Sequence, residues 1–269
     1  MSQQSSIAAR YRGPRPWRPT PLAAFSLALH GALAIALVVS PAAWPWIIAV
    51  VAANHALLTA AVFMPRTQLL GPNVNRLPEA AARRREVALT FDDGPDPQNT
   101  PQILAWLDRH GAKASFFCVG EKAAAHPEIV REIAQRGHSV ENHSYRHSNA
   151  FACFGIGRTS REVERAQELL ARLSGRAPRF FRAPAGFRSP LLDFVLSRCG
   201  LRYVSWSRRG FDAARSDPRS VLARLTRGLT PGDVLLLHDS SPVVLEVLPR
   251  LLEELAGRRL KSVSLPSVL

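Results

Sequence analysis

The chain has 269 residues, room for one sizeable domain and an appendage, and its net charge is +14. The basic excess is uneven: residues 1–85 hold nine Arg against one Glu, and no basic tract is interleaved with aromatics, which argues against nucleic acid as a partner. Three cysteines, Cys118, Cys153 and Cys199, have neither metal-ligand spacing nor the pairing expected of a disulfide framework.

From Leu22 to Met64 there is no Asp, Glu, Lys or Arg. A single span needs roughly 20 apolar residues, so this stretch is long enough for two. Ser40-Pro41-Ala42-Ala43-Trp44-Pro45-Trp46 supplies turn prolines and interfacial tryptophans. The chain therefore divides into a basic tail (1–21), two predicted transmembrane helices (22–39 and 46–63), a basic linker (65–85) and a larger domain (86–269). A signal peptide is disfavoured, because its apolar run is usually about 7–15 residues and no second run follows it; a buried helical hairpin of a soluble protein is the other alternative. Arginines flank both outer ends (Arg10, Arg12, Arg15 and Arg18; Arg66, Arg76, Arg83, Arg84 and Arg85), and the connecting loop has none. The positive-inside rule places both ends, and the domain, on the cytoplasmic face of a bacterial-type inner membrane. Insertion of one helix alone would put the domain in the periplasm or outside the cell.

After Arg85 the pattern changes to alternating strand and helix. Predicted strands are Val87–Phe91, Ser115–Val119, His138–Glu141, Arg179–Arg182, Tyr203–Trp206, Val234–Leu237 and Lys261–Leu265. Predicted helices begin at Asn99-Thr100-Pro101, Pro127, the Thr159-x-x-Glu162 capping box, Ser189-Pro190, Pro218 and Val243. This order implies a parallel sheet covered by helices, with functional residues beyond the strand C-termini.

Those strand ends carry the polar residues. Asp92-Asp93 follow the first, His143-x-x-x-His147 the third and Arg182 the fourth; His238 follows Val234-Leu235-Leu236-Leu237. His143 and His147, at i and i+4 on a helical turn, point the same way and can share a metal ion. One aspartate completes a three-ligand set, leaving the other carboxylate to take a proton from water. A metal oxygenase uses the same set, so the triad alone leaves the reaction open. His238 emerges from a buried strand, where it can protonate a leaving amine, and Arg182 suits holding a carboxylate in its ionised form.

Thr90-Phe91-Asp92-Asp93-Gly94, His143-Ser144-x-x-His147, Arg182-x-Pro184-x-Gly186 and Leu236-x-His238 resemble the ordered motifs of the NodB-like polysaccharide deacetylases, carbohydrate esterase family 4. The resemblance covers about residues 86–269. It implies a distorted (β/α) barrel of seven to eight parallel strands with one divalent metal at its mouth, zinc by default and cobalt, nickel or manganese as alternatives. It also implies hydrolysis of an N-acyl group, acetyl by default, on an amino sugar of a polysaccharide or lipid-linked glycan. Asp93, His143 and His147 then bind the metal, Asp92 is the general base and His238 the general acid. Arg182 orients Asp92, Asp212 tunes His238, and the Ala185 N–H stabilises the oxyanion. Two positions depart from the family. Ala213 stands where Trp usually walls the acyl pocket, so either Phe211 replaces that wall or the pocket admits a different acyl group, with Leu236 a further substrate residue, and Ala185 stands where an aromatic is common. The competing reading is a non-catalytic, membrane-anchored sugar-binding module of the same fold. No particular oligomeric state is implied.

Overall fold

The computed structural model describes residues 14–213, 217–265 and 269; Arg10 and Arg12 of the basic tail lie outside them. Two apolar helices come first, α1 (Pro21–Val39) and α2 (Trp44–Val62), joined by a single 3₁₀ turn at Pro41–Ala43. Thr20 caps α1 by accepting from the Ala23 N–H, with Pro21 in the first turn, where its missing N–H costs nothing. The two helices touch through a polar seam: Asn54 Nδ2 donates to Ser26 Oγ at 2.9 Å, and the His30 and His55 rings meet edge-on. Much of their remaining surface is apolar and exposed, with Ile35, Val38, Val39, Trp46 and Ile48 all more than half exposed. Both are long and apolar enough to cross a membrane.

Among the described residues the domain has eight strands: β1 (Glu86–Asp92), β2 (Ala114–Cys118), β3 (Ser139–Asn142), β4 (Phe180–Phe181), β5 (Arg202–Tyr203), β6 (Arg208–Arg209), β7 (Val234–His238) and β8 (Lys261–Ser262). Every pairing is parallel, in the order β5-β4-β3-β2-β1-β7-β6, with β8 against the start of β1. Parallel strands need crossovers, and helices supply most of them, including α3 (Thr100–Arg109), α4 (Pro127–Gln135), α5 (Ile156–Ser174), α6 (Pro218–Thr226) and α7 (Val243–Gly257). Period-two alternation divides the sheet's two faces. Leu89, Phe91, Phe116, Leu235 and Leu237 pack outward under α3 and α7; Ala88, Phe117, Phe180, Val204 and Val234 fill the inside.

Curling follows from chain length. Seven flat strands about 4.8 Å apart would separate the edges by about 29 Å. Yet β5 and β6, the two edges, are joined by residues 204–207 alone, which reach at most about 18 Å. The sheet must therefore bend into a half-barrel. The linker after α2 fills the remaining gap: Val74 bridges to Val204 on one side and Arg76 to Asp233 on the other, and Leu77 N–H donates to Gly232 O at 2.8 Å.

Several expectations need correction. The long helix begins at Ile156, a turn before Thr159, with Gly155 at its N-cap. Glu162 is therefore no capping-box residue; its carboxylate accepts from the Tyr145 and Arg146 N–H groups and holds the preceding loop. His143 and His147 lie on a loop, not a helical turn, with Ser144 and His147 at positive φ of 63° and 51°. Strand β6 was not expected, because two consecutive arginines carry no strand pattern.

Candidate active site

The polar residues converge where β1, β3, β4 and β7 end. Asp92 is the last residue of β1 and the register partner of His238 at the end of β7, so both side chains leave the same face of adjacent strands. The backbone turns sharply after Asp92. Asp93 has φ 73°, a left-handed conformation that Asp tolerates better than most residues, and this turn swings the second carboxylate to the same side as the first.

Arg182 follows β4 and is fully buried beneath the site. Its Nη1 donates to Asp92 Oδ1 at 2.5 Å and to Thr90 Oγ1 at 3.0 Å, while Nε and Nη2 reach the carbonyls of Val204 and Ser205. The guanidinium also lies 4.1 Å from the centre of the Phe117 ring. Held on every side, it fixes Asp92 in one orientation. Support extends into the linker. The Ser205 N–H donates to Val74 O and to Asn73 Oδ1, and Asn73 Nδ2 donates to the carbonyls of Pro65 and Thr67. The end of α2 is thus tied by hydrogen bonds to the arginine that holds Asp92.

Asp93 lies 3.3 Å from His143 Nε2 and 3.0 Å from His147 Nε2, and one ligand atom from each residue lies within 4.8 Å of the others. The remaining nitrogen of His143 faces the Arg182 carbonyl at 2.8 Å. A carbonyl only accepts, so Nδ1 carries the proton, and Nε2 is the nitrogen left to bind a cation or, when the ring is protonated, to donate to Asp93. Burial pushes the Asp93 carboxyl up, but hydrogen bonds and charge from the two histidines outweigh it and hold the group well below the ordinary carboxylate range. A carboxylate oxygen and two imidazole nitrogens, with one histidine partly open to solvent, fit a divalent cation that keeps positions free. Replacing His147 by Ala is expected to weaken Zn²⁺ binding by more than the roughly 10–100-fold that loss of an outer partner costs. Calorimetric titration of metal-stripped protein measures this, and unchanged affinity would remove His147 from the ligand set.

On β7, His238 Nδ1 donates to Asp212 Oδ1 at 2.9 Å, and its backbone N–H donates to Asp212 Oδ2 at 2.7 Å. Burial drives His238 down, but this hydrogen bond and charge raise it above the ordinary histidine value, with Asp92 and Asp93 adding to the effect. Activity that requires protonated His238 falls as pH rises through this raised pKa. Asp212→Asn therefore moves the alkaline limb of kcat/KM to lower pH; a limb that does not move would detach Asp212 from the acid.

The loop after Arg182 turns at Pro184–Gly186, with Ala185 at φ 55°. Its turn hydrogen bonds are donated by Gly186 and Phe187, and among the described residues the Ala185 N–H makes no backbone hydrogen bond. Gly186 is required by close approach: a Cβ there would lie 2.5 Å from the Trp206 ring. Trp206 is buried against this loop, whereas Phe211 stands half exposed at the rim. Leu236, on the inner face of β7, is buried beside Thr90. The structure thus gathers Asp92, Asp93, His143, His147, Arg182, His238 and Asp212 and sets Ala185, Leu236 and Phe211 on surrounding loops and strands. Sequence reasoning missed Thr90, Asn73 and Trp206. Thr90 lies within a motif but carries no charge to single it out, and the other two act through long-range contacts.

Residues 79–204 match the family described as polysaccharide deacetylase. A peptidoglycan-N-acetylglucosamine deacetylase of Bacillus cereus is 34% identical over 69% of this chain and 68% of its own length. The chain belongs to the polysaccharide deacetylase family. A chitooligosaccharide deacetylase of Azorhizobium caulinodans is 37% identical to this deacetylase over 58% of the chain and 74% of the relative. Among solved structures, that of the Bc1960 peptidoglycan N-acetylglucosamine deacetylase superposes with a TM-score of 0.69 at 32% identity, covering 73% of this chain and 92% of that one.

Proposed function

We propose that this deacetylase hydrolyses the N-acyl group, acetyl in the first instance, from an amino sugar at a membrane surface. The observation that carries the reading is the pairing of Asp92 with His238 on adjacent strands, each held by an oppositely charged partner, Arg182 and Asp212. An ionised carboxylate and a protonated imidazole side by side are the base and acid that amide hydrolysis needs.

Asp92, aimed by Arg182, takes a proton from the attacking water. The Ala185 N–H donates to the oxygen that gains charge as the carbonyl becomes tetrahedral. His238, its ring oriented by Asp212, gives its Nε2 proton to the departing nitrogen, leaving a free amine and a carboxylate. Asp93, His143 and His147 would hold the divalent cation, zinc by default, which supplies Lewis-acid polarisation of the amide and the water.

Membrane placement rests on the two apolar helices and on how the domain is joined to them. Before α1, Arg15 N–H donates to Ser197 O at 2.9 Å, Arg15 pairs with Asp193, and Trp17 meets Phe194 edge-on. After α2, Phe63 packs edge-on against Phe187, directly beyond the Ala185 turn. Both ends of the hairpin are clasped to the same domain, which supports two spans with the site near the bilayer surface. On the cytoplasmic face, as the flanking arginines suggest, the substrate would be a lipid-linked glycan; on the outer face, peptidoglycan or an exopolysaccharide. Acyl release from chitooligosaccharides, peptidoglycan fragments and polyprenyl-linked N-acyl sugars by the purified full chain tests the substrate. An active alkaline phosphatase fused to the C-terminus would contradict the cytoplasmic placement.

A further inference from the structure

Among the described residues no acid pairs with Arg209. Strand β6 pairs with β7 so that Arg209 lies beside Leu236, and Leu236 lies beside Thr90. Thr90 Oγ1 receives a hydrogen bond from the buried Arg182, so this is the face turned into the half-barrel, two residues below Asp92 and His238. Arg208 points the other way, where it is bound to Asp233 and to the carbonyls of Arg227 and Gly228. The Arg209 guanidinium lies between two rings, 5.1 Å from the centre of Trp206 and 4.8 Å from that of Phe211. The residue is half-buried, and its Nε is buried without a hydrogen-bond partner among the described residues.

Nearby acids are already engaged: Asp92 by Arg182, Asp93 by the two histidines and Asp212 by His238. A guanidinium drawn partly out of water, with its buried Nε lacking an acceptor among the described residues, is costly unless an anion completes it. Two further guanidiniums stand at the same rim. Arg224 lies 5.9 Å from the Phe211 ring and donates to Gly210 O; Arg66, two residues after Met64 at the end of α2, reaches Ser207 O at 3.5 Å. Aromatic rings orient Arg209 without consuming its donors.

We infer that Arg209, with Arg66 and Arg224 beside it, forms an oxyanion subsite that takes a phosphate attached to the amino-sugar substrate. The phosphate comes either from a soluble glycosyl phosphate or from the head of a polyprenyl-linked sugar. A neutral glycan would leave the guanidinium unpaired, so the subsite selects phosphorylated substrates over neutral ones.

The subsite rests on the hydrolase reading for its substrate, so binding and turnover are measured separately on the full chain in detergent. Inorganic pyrophosphate is titrated calorimetrically into wild type, Arg209→Gln and Arg209→Lys. In parallel, kcat/KM is measured for a neutral N-acetylglucosamine oligosaccharide, N-acetylglucosamine 1-phosphate and the polyprenyl diphosphate form. Charge-assisted hydrogen bonds of ordinary strength give the phosphorylated substrates an advantage of about 10- to 100-fold over the neutral one. That ratio, and pyrophosphate affinity, are expected to fall towards background in Arg209→Gln and only partly in Arg209→Lys. The lysine variant carries the comparison if the glutamine variant melts early. A larger advantage for the lipid form assigns the phosphate to the membrane, and equal advantages assign it to solution. Equal kcat/KM on neutral and phosphorylated substrates, or a phosphate advantage that survives Arg209→Gln, would overturn the subsite. Arg209-dependent pyrophosphate binding without turnover of any substrate would sustain it while sinking the hydrolase reading.

Discussion

Asp92→Asn is expected to lower kcat by about 10²–10⁴, the range that a positioned general base contributes. Asparagine preserves the shape and still accepts from Arg182 Nη1, so the change removes the basic oxygen with little loss of packing. The group lost is one of the two that face each other across β1 and β7. The variant should lose some melting temperature, because the buried Arg182 charge keeps a hydrogen bond but loses its anion, and should still bind Zn²⁺, because Asp93, His143 and His147 form the cation cluster without it. Comparing kcat, melting temperature and Zn²⁺ affinity on the same preparations separates the roles. Activity within a few-fold of wild type would remove Asp92 from the base position.

Arg182→Met is expected to cost both stability and activity. Arg182 is fully buried, and its loss strands the Asp92 carboxylate, the Thr90 hydroxyl and the carbonyls of Val204 and Ser205. Breaking a buried ion pair from one side typically costs about 3–5 kcal/mol. For a domain of this size each kcal/mol is worth about 2–4 °C, so Tm should fall by roughly 6–20 °C. Calorimetric melting of the full chain in detergent measures it. A Tm within 2 °C or so of wild type would mean that Arg182 does not anchor the site.

Which features were legible in the sequence depended on the range of the interaction. Val87–Phe91 and Val234–Leu237 are runs too apolar to lie anywhere but inside, so the charged groups that end them had to stand at the mouth. Asp92, Asp93, His143, His147, Arg182 and His238 were found that way, and the ordered motifs then supplied Asp212 and Ala185. Local backbone was less legible. The i, i+4 spacing of His143 and His147 suggested a helical turn, yet a loop with two left-handed residues brings the same nitrogens together. Thr159 and Glu162 have capping-box spacing, but Glu162 serves a loop far from it in sequence. Strand β6 is two residues of arginine, which neither alternation nor β-propensity marks. Least legible was the linker: Val74 and Arg76 close the sheet by pairing with partners more than a hundred residues away, and no local pattern announces such a contact.

Acyl release by the wild-type full chain, loaded with Zn²⁺ and run in water enriched in heavy oxygen, bears most directly on the central claim. Given an N-acetylated amino-sugar substrate, the account expects free amine and acetate in equal amounts, each acetate carrying one oxygen from solvent. Failure to release acetate from any N-acylated amino sugar with metal bound, or acetate without solvent oxygen, would contradict hydrolysis by a water that Asp92 activates.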